Sequence, residues 1–187
     1  PITEKRPEKS RKGIYLLKDN FFKFWFKFIF ENNNYIEQEK IEKLINEKII
    51  PDLNNFVGRA YEQIALEWIK KQKRFDNYLF GSWWNKTDEI DIVGIDKNNN
   101  KIIFGEVKWK NLNFDESKKI LNKLKEKSKN IEWGENPETN FIIIGKKITE
   151  KNKLKELNVN LFDLDDVIVK NEKTISTQKE EKHENNN

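Results

Sequence analysis

The stretch that decides the fold runs from Glu89 to Trp109: EIDIVGI over 89–95, DKNNN over 96–100 and KIIFGEVKW over 101–109. The outer pieces change the chain's apolar period to two, and the middle piece is turn chemistry, so they predict two strands joined as a hairpin. If Asp96 and Lys101 close a four-residue loop over 97–100, Asp91 stands directly opposite Glu106 and Lys108 is its diagonal neighbour. Residues two apart on a strand share a face. Glu106 and Lys108 therefore point the same way, beside Ile102 and Phe104. A carboxylate and an ammonium on an otherwise apolar face are costly unless they are paired or bind a metal.

Two carboxylates that close repel each other unless a cation sits between them. Mg²⁺ suits the geometry, because it takes one or two carboxylates and keeps several waters. A lysine beside it would position or help activate the attacking water, a recipe for phosphodiester hydrolysis. The ordinary alternative is a plain Glu–Lys pair on a half-exposed strand. A chain with 36 Lys+Arg and 32 Asp+Glu produces E-x-K triplets by chance.

Working outward, residues 19–31 predict a helix on which Asn20, Lys23, Lys27 and Glu31 form a narrow polar stripe among aromatics. Such a helix is expected to bury most of its circumference, against a core or another domain. Residues 35–48 are amphipathic, and Pro51 is expected to end that segment. A second long helix is predicted over 53–73, with Phe56, Val57, Ala60, Tyr61, Ile64, Ala65, Trp68 and Ile69 on its apolar face. After the hairpin come a helix at about 115–130, a short strand at Phe141–Ile144 of the kind buried on both faces, a helix over 149–157 and a last strand over 159–164. The order predicts an α/β fold with a central sheet flanked by helices. Residues 1–51 read as a charged linker and helical connector, 52–170 as the domain, and 171–187 as a disordered polar tail.

Composition excludes several chemistries. The chain has 187 residues, no Cys, and one His, at position 183 in the tail. A disulfide scaffold, a thiolate metal site and a histidine-based triad are therefore not expected. No stretch reaches the ~20 apolar residues of a spanning helix, and the first dozen residues are too charged for a signal peptide. A cytoplasmic protein without membrane contact is expected. The net charge of +4 permits nucleic acid as a partner without demanding it. The chain lacks the P-loop pattern, so no ATPase activity is expected from it alone. It also has no Met and begins with Pro1, which suggests a fragment, a trimmed chain or a truncated gene product.

Asp91 in I-D-I-V, followed by Glu106-Val107-Lys108 and flanked by helices, resembles the PD-(D/E)XK nuclease superfamily. Ile90 stands where the nominal motif has Pro. The resemblance implies a restriction-endonuclease-like core. It also implies a Mg²⁺ or Mn²⁺ site held by a helix Glu, Asp91 and Glu106, with Lys108 orienting the attacking water. Glu62 and Glu67 flank the apolar face of the helix on opposite edges, and the G-x-x-x-E match of Gly58 to Glu62 favours Glu62. A wider pattern is similar to the C-terminal region of archaeal-type P-loop ATPases, a domain of unknown function. It comprises KGIYLLKDNFFKFWFKFIF, FVGRAYEQIALEWI, GSWWNKTDEIDIVGID, FGEVKWK and VNLFDLDDV in that order. GKKIT at 145–149 departs from that pattern, and no site is placed there.

Two functions follow as expectations. The first is a metal-dependent endonuclease-like module acting on DNA, a candidate hydrolase serving an ATPase and winged-helix half in cis or in trans. The second is a non-catalytic module that binds DNA or a protein for such an ATPase. Lysines of the 118–129 helix are candidates for backbone contacts, although a solvated face is the ordinary reading. Trp83, Trp84 and Trp109 are expected to pack the sheet edge. The aromatic helix would self-associate if left uncovered.

Overall fold

A computed structural model describes residues 2–3 and 17–168. Most of the expected linker and the whole expected tail lie outside the described residues.

Five strands form one mixed sheet in the order β1-β2-β3-β4-β5. They are β1 (Leu79–Trp84), β2 (Glu89–Asp96), β3 (Lys101–Leu112), β4 (Glu138–Ile148) and β5 (Val159–Phe162). The first three run antiparallel, and β3, β4 and β5 run parallel. The hairpin has the expected register, pairing Ile92 with Gly105 through to Asp96 with Lys101. Its loop is held by the Asp96 carboxylate, which accepts the N–H groups of Asn98 and Asn99, each at 3.1 Å. Asn100 takes the left-handed backbone (φ 52°) that Asn tolerates.

Helices cover both faces. Helix α4 (Ile50–Lys70) lays Tyr61, Ala65, Trp68 and Ile69 on Phe80, Ile92, Ile103, Val107, Ile142 and Ile144. On the other face α5 (Phe114–Ser128) places Leu124 against Ile102 and Phe104. There Leu121, with Leu154 of α6 (Lys151–Lys155), meets Ile143 and Ile148. The FIII strand is buried on both sides because alternate isoleucines serve the two layers. A capping box starts α5: Asn113 accepts from the N–H of Glu116 at 2.9 Å, and Glu116 accepts from the N–H of Asn113 at 3.1 Å. This is the expected α/β core, a central mixed sheet flanked by helices.

Several expectations are corrected. Strand β1 is absent from the sequence reading. Its LFGSWW does not alternate, and its register shifts between Gly81 and Trp83, so no clean period of two is left to detect. Pro51 does not end a helix. It lies in the first turn of α4, which continues without a break from α3 (Ile41–Leu44) through a wide turn at Ile45–Ile49. A proline has no N–H to donate to the turn before it, and the wide turn gives its ring the room a regular turn denies.

The connector also differs from expectation. Helix α1 (Asn20–Phe24) is capped by Asp19 and runs on through a wide turn at Trp25–Ile29 and a tight turn at Phe30–Asn32 to α2 (Asn33–Glu37). Among its described aromatics only Phe28 is buried, against Phe24 and Phe56. Phe21, Phe22, Trp25, Phe26 and Phe30 remain 42–66% exposed. The polar stripe turns inward: Lys23 donates to Gln63 at 2.7 Å, and Lys27 pairs with Asp52. Among the described residues no helix is long and apolar enough to cross a membrane.

Candidate active site

The sheet splits where the candidate residues meet. The β2–β3 ladder ends at Ile92–Gly105. Beyond it, Glu89 and Ile90 pair only with β1, while Glu106, Val107 and Lys108 pair only with β4. A split leaves backbone groups without ladder partners, and these need others. The Asp91 carboxylate accepts the Val107 N–H at 2.7 Å. The ammonium of Lys127 donates to the Glu89 carbonyl at 2.8 Å. The charged side chains thus close the gap that the strands leave.

Glu106 sits in this gap, 8% exposed, with a cation on each oxygen. Lys108 lies 2.8 Å from Oε1 and Lys127 lies 3.4 Å from Oε2. Lys108 also stands 4.0 Å from Asp91 Oδ2. The strands therefore bring Asp91, Glu106 and Lys108 together, but the expected Asp91–Glu106 pair does not form as a ladder pair, because the ladder ends one position before it. Glu62 approaches from α4. It is half-buried, and Lys108, Glu89 and Glu106 all act on its charge. Glu67 instead points outward and pairs with Lys70 at 2.9 Å, so the structure separates the two helix candidates.

Electrostatics mark Asp91. Burial, reinforced by the Glu106 carboxylate, pushes its pKa up to about 7, against the pull of the Val107 N–H and Lys108. Burial also raises Glu62. Burial works against the Lys108 ammonium, but the hydrogen bond to Glu106 and the nearby carboxylates outweigh it and raise its pKa. The site is short of positive charge even with two lysines on Glu106.

That shortage, and the hard oxygen donors, fit a divalent cation such as Mg²⁺ at Asp91 and Glu106. Among the described residues, however, no three carboxylates stand close enough to hold one ion together. Glu62 would have to close on the pair.

Two cavities flank Glu62. One, of about 940 Å³, runs under the connector and is lined by Asn20, Lys23, Glu31, Glu89 and Asp91. The other, of about 560 Å³, opens onto Lys108, Trp109 and Lys110. Lys27, Arg59 and Glu62 line both.

Sequence reasoning missed three of these residues. Glu89 was legible, two positions before Asp91 on the same strand. Arg59 was legible too, three residues before Glu62 on one helix face. Lys127 was not, because nothing local distinguishes it from the other lysines of α5. Trp83 and Trp84 lie on the edge strand β1 as expected, with Trp83 buried beside Ile90 and Phe104, but Trp109 is on the central strand β3 and lies edge-on to Tyr61 of α4 at 5.1 Å.

The DUF234 family model, described as archaeal and bacterial proteins of unknown function, matches residues 25–120, just over half of the chain. The chain belongs to the DUF234 family. The DUF234 match takes in the connector from Trp25 onward, α4 and the whole hairpin. The chain is 37% identical over 171 residues to the uncharacterized protein MJECL04 of Methanocaldococcus jannaschii. The match covers 89% of this chain and 37% of that relative, so the chain spans little more than a third of it. Among solved structures, it is similar to a repair endonuclease from Pyrococcus abyssi, with TM-score 0.37 and 20% identity over 55% of this chain and 46% of that one.

Proposed function

We propose that this DUF234 chain carries a metal-dependent phosphodiesterase site that acts on DNA. The observation that carries the reading is the split hairpin. It places the Asp91 and Glu106 carboxylates side by side with Lys108 reaching both, in a partly buried cleft. Such a set of strained carboxylates is a mark of function more than of stability. Asp91 and Glu106 would hold Mg²⁺ or Mn²⁺, with Glu62 as the third carboxylate, and the ion would supply Lewis-acid stabilisation of the phosphate charge. Lys108 presents a fixed ammonium at the reacting centre, where it can orient the attacking water and stabilise developing negative charge. Arg59, without an ion pair or hydrogen bond among the described residues, supplies a guanidinium to the same cleft.

The test is calorimetric titration of Mg²⁺ and Mn²⁺ into the chain and its Asp91→Ala and Glu106→Ala variants, followed by plasmid cleavage. Binding lost in both variants, with cleavage by the parent alone, is the expected result. Cation binding that survives both substitutions sinks the reading.

The scattered third carboxylate and the two lysines on Glu106 favour one alternative, a non-catalytic module that binds DNA or a protein. No site-dependent metal binding, together with no cleavage of any DNA tested, would select it. The connector's outward aromatics suit a surface that meets an ATPase and winged-helix half, in cis or in trans, or a second copy of the chain. Sedimentation at several concentrations would show the last of these as a mass that rises with concentration, and a constant monomer mass would exclude it.

A further inference from the structure

Glu106 is held by two ammonium groups of unequal standing. Lys108 comes from the same strand, sits 2.8 Å from Oε1 and also faces Asp91. Lys127 comes from the last turn of α5, across the sheet face, and its 3.4 Å contact with Oε2 is the longer one. Its shorter bond, at 2.8 Å, goes to the backbone carbonyl of Glu89. Lys127 would therefore keep an anchor if it gave up Glu106, whereas among the described residues Lys108 pairs only with the carboxylates. A cation entering between Asp91 and Glu106 needs an oxygen of Glu106, and the oxygen held more loosely is the one facing Lys127.

We propose that Lys127 is the resident counter-ion of Glu106 and competes with the divalent cation for it, so that a residue of α5 sets how tightly the strand site binds metal. The inference rests on the metal reading above. With metal absent, the lysine keeps the carboxylate compensated and the split closed. When the ion arrives it yields Glu106 and remains beside the strand end on the Glu89 carbonyl, a tethered positive charge at the rim of the site.

The competition gives a sign that a merely structural lysine would not. Mn²⁺ is titrated calorimetrically into the whole chain and into Lys127→Gln, Lys127→Arg and Asp91→Ala at one pH and ionic strength. Lys127→Gln should bind Mn²⁺ about tenfold more tightly than the parent, a shift of the size that groups around a metal site commonly produce. Lys127→Arg keeps the charge and should bind as the parent does. Without metal, Lys127→Gln should melt lower than the parent, and Mn²⁺ should restore most of the difference. Lys127→Met replaces it if the Gln variant does not fold. Equal or weaker binding by the charge-neutral variant, with the parent binding normally, overturns the proposal and leaves the metal reading intact. Binding by Lys127→Gln alone supports both. No binding by any of them overturns both.

Discussion

The β2–β3 hairpin and the connector helix are both written in simple periodic patterns, yet they behave oppositely. In the hairpin, the expected register holds from Ile92–Gly105 to Asp96–Lys101, and just beyond its end Asp91, Glu106 and Lys108 meet through side-chain contacts. In the connector, the chain is helical as expected, but wide and tight turns interrupt its period and most of its circumference is left uncovered. The narrow polar stripe faces α4 and the cleft, and most of the aromatic surface faces outward. A hairpin carries its own partner, so its faces are defined by local pairing. A single helix has no partner in its own sequence, and which side is covered depends on what it packs against.

Substitutions can break this contrast. The largest effect should come from Phe28→Ala, which empties the one aromatic position that the connector buries and should cost about 3–4 kcal/mol in urea unfolding. An effect no larger than that of an exposed aromatic would mean that the connector does not dock as described. Glu106→Ala should come next. It strands two lysines that the fold has brought together, and it should destabilise by about 2–3 kcal/mol, less than a fully buried pair because both ammonium groups reach solvent.

Asp91→Asn should have the opposite sign. Its amide oxygen can still accept the Val107 N–H, while the repulsion from Glu106 is gone. The folded pKa of Asp91, about 7, lies above its unfolded value. Its contribution is therefore fully present at pH below the unfolded carboxylate range and is lost as pH rises through about 7. The variant should be more stable than the parent by about 2 kcal/mol at pH 8, and the gap should narrow as pH falls below about 7 and close only in the unfolded carboxylate range. Melting curves across that range check it. A constant gap would show that Asp91 is not protonated more readily in the folded state. A stabilised variant that has lost metal binding would mark the carboxylate as kept for chemistry at the expense of the fold.

Smaller effects sharpen the picture. Tyr61→Phe removes the hydroxyl that donates to the Gly145 carbonyl at 2.9 Å under α4 and should cost about 1 kcal/mol. Phe30→Ser, on the outward face, should change stability by less than about 0.5 kcal/mol. A large loss there would mean that the surface is covered within the protein itself.

The sequence alone determined the hairpin, its register and the face shared by Glu106 and Lys108, because the four-residue loop and the strand period are local properties. It also determined the two-sided burial of the FIII strand and the long apolar face of α4, since both are runs of side chains that water rejects. Strand β1 stayed hidden because its bulge breaks the period, and Pro51 misled because the wide turn that accommodates it has no sequence signature. Only the tertiary structure shows that Glu62 lies near Lys108 and Glu106 while Glu67 pairs with Lys70 on the outside, because the two stand on opposite edges of one helix face until a sheet lies against it. It alone singled out Lys127, because a lysine becomes a partner of Glu106 only when a helix 21 residues further along the chain returns over the split in the sheet. Local periodicity places side chains on faces, and long-range packing decides what those faces meet.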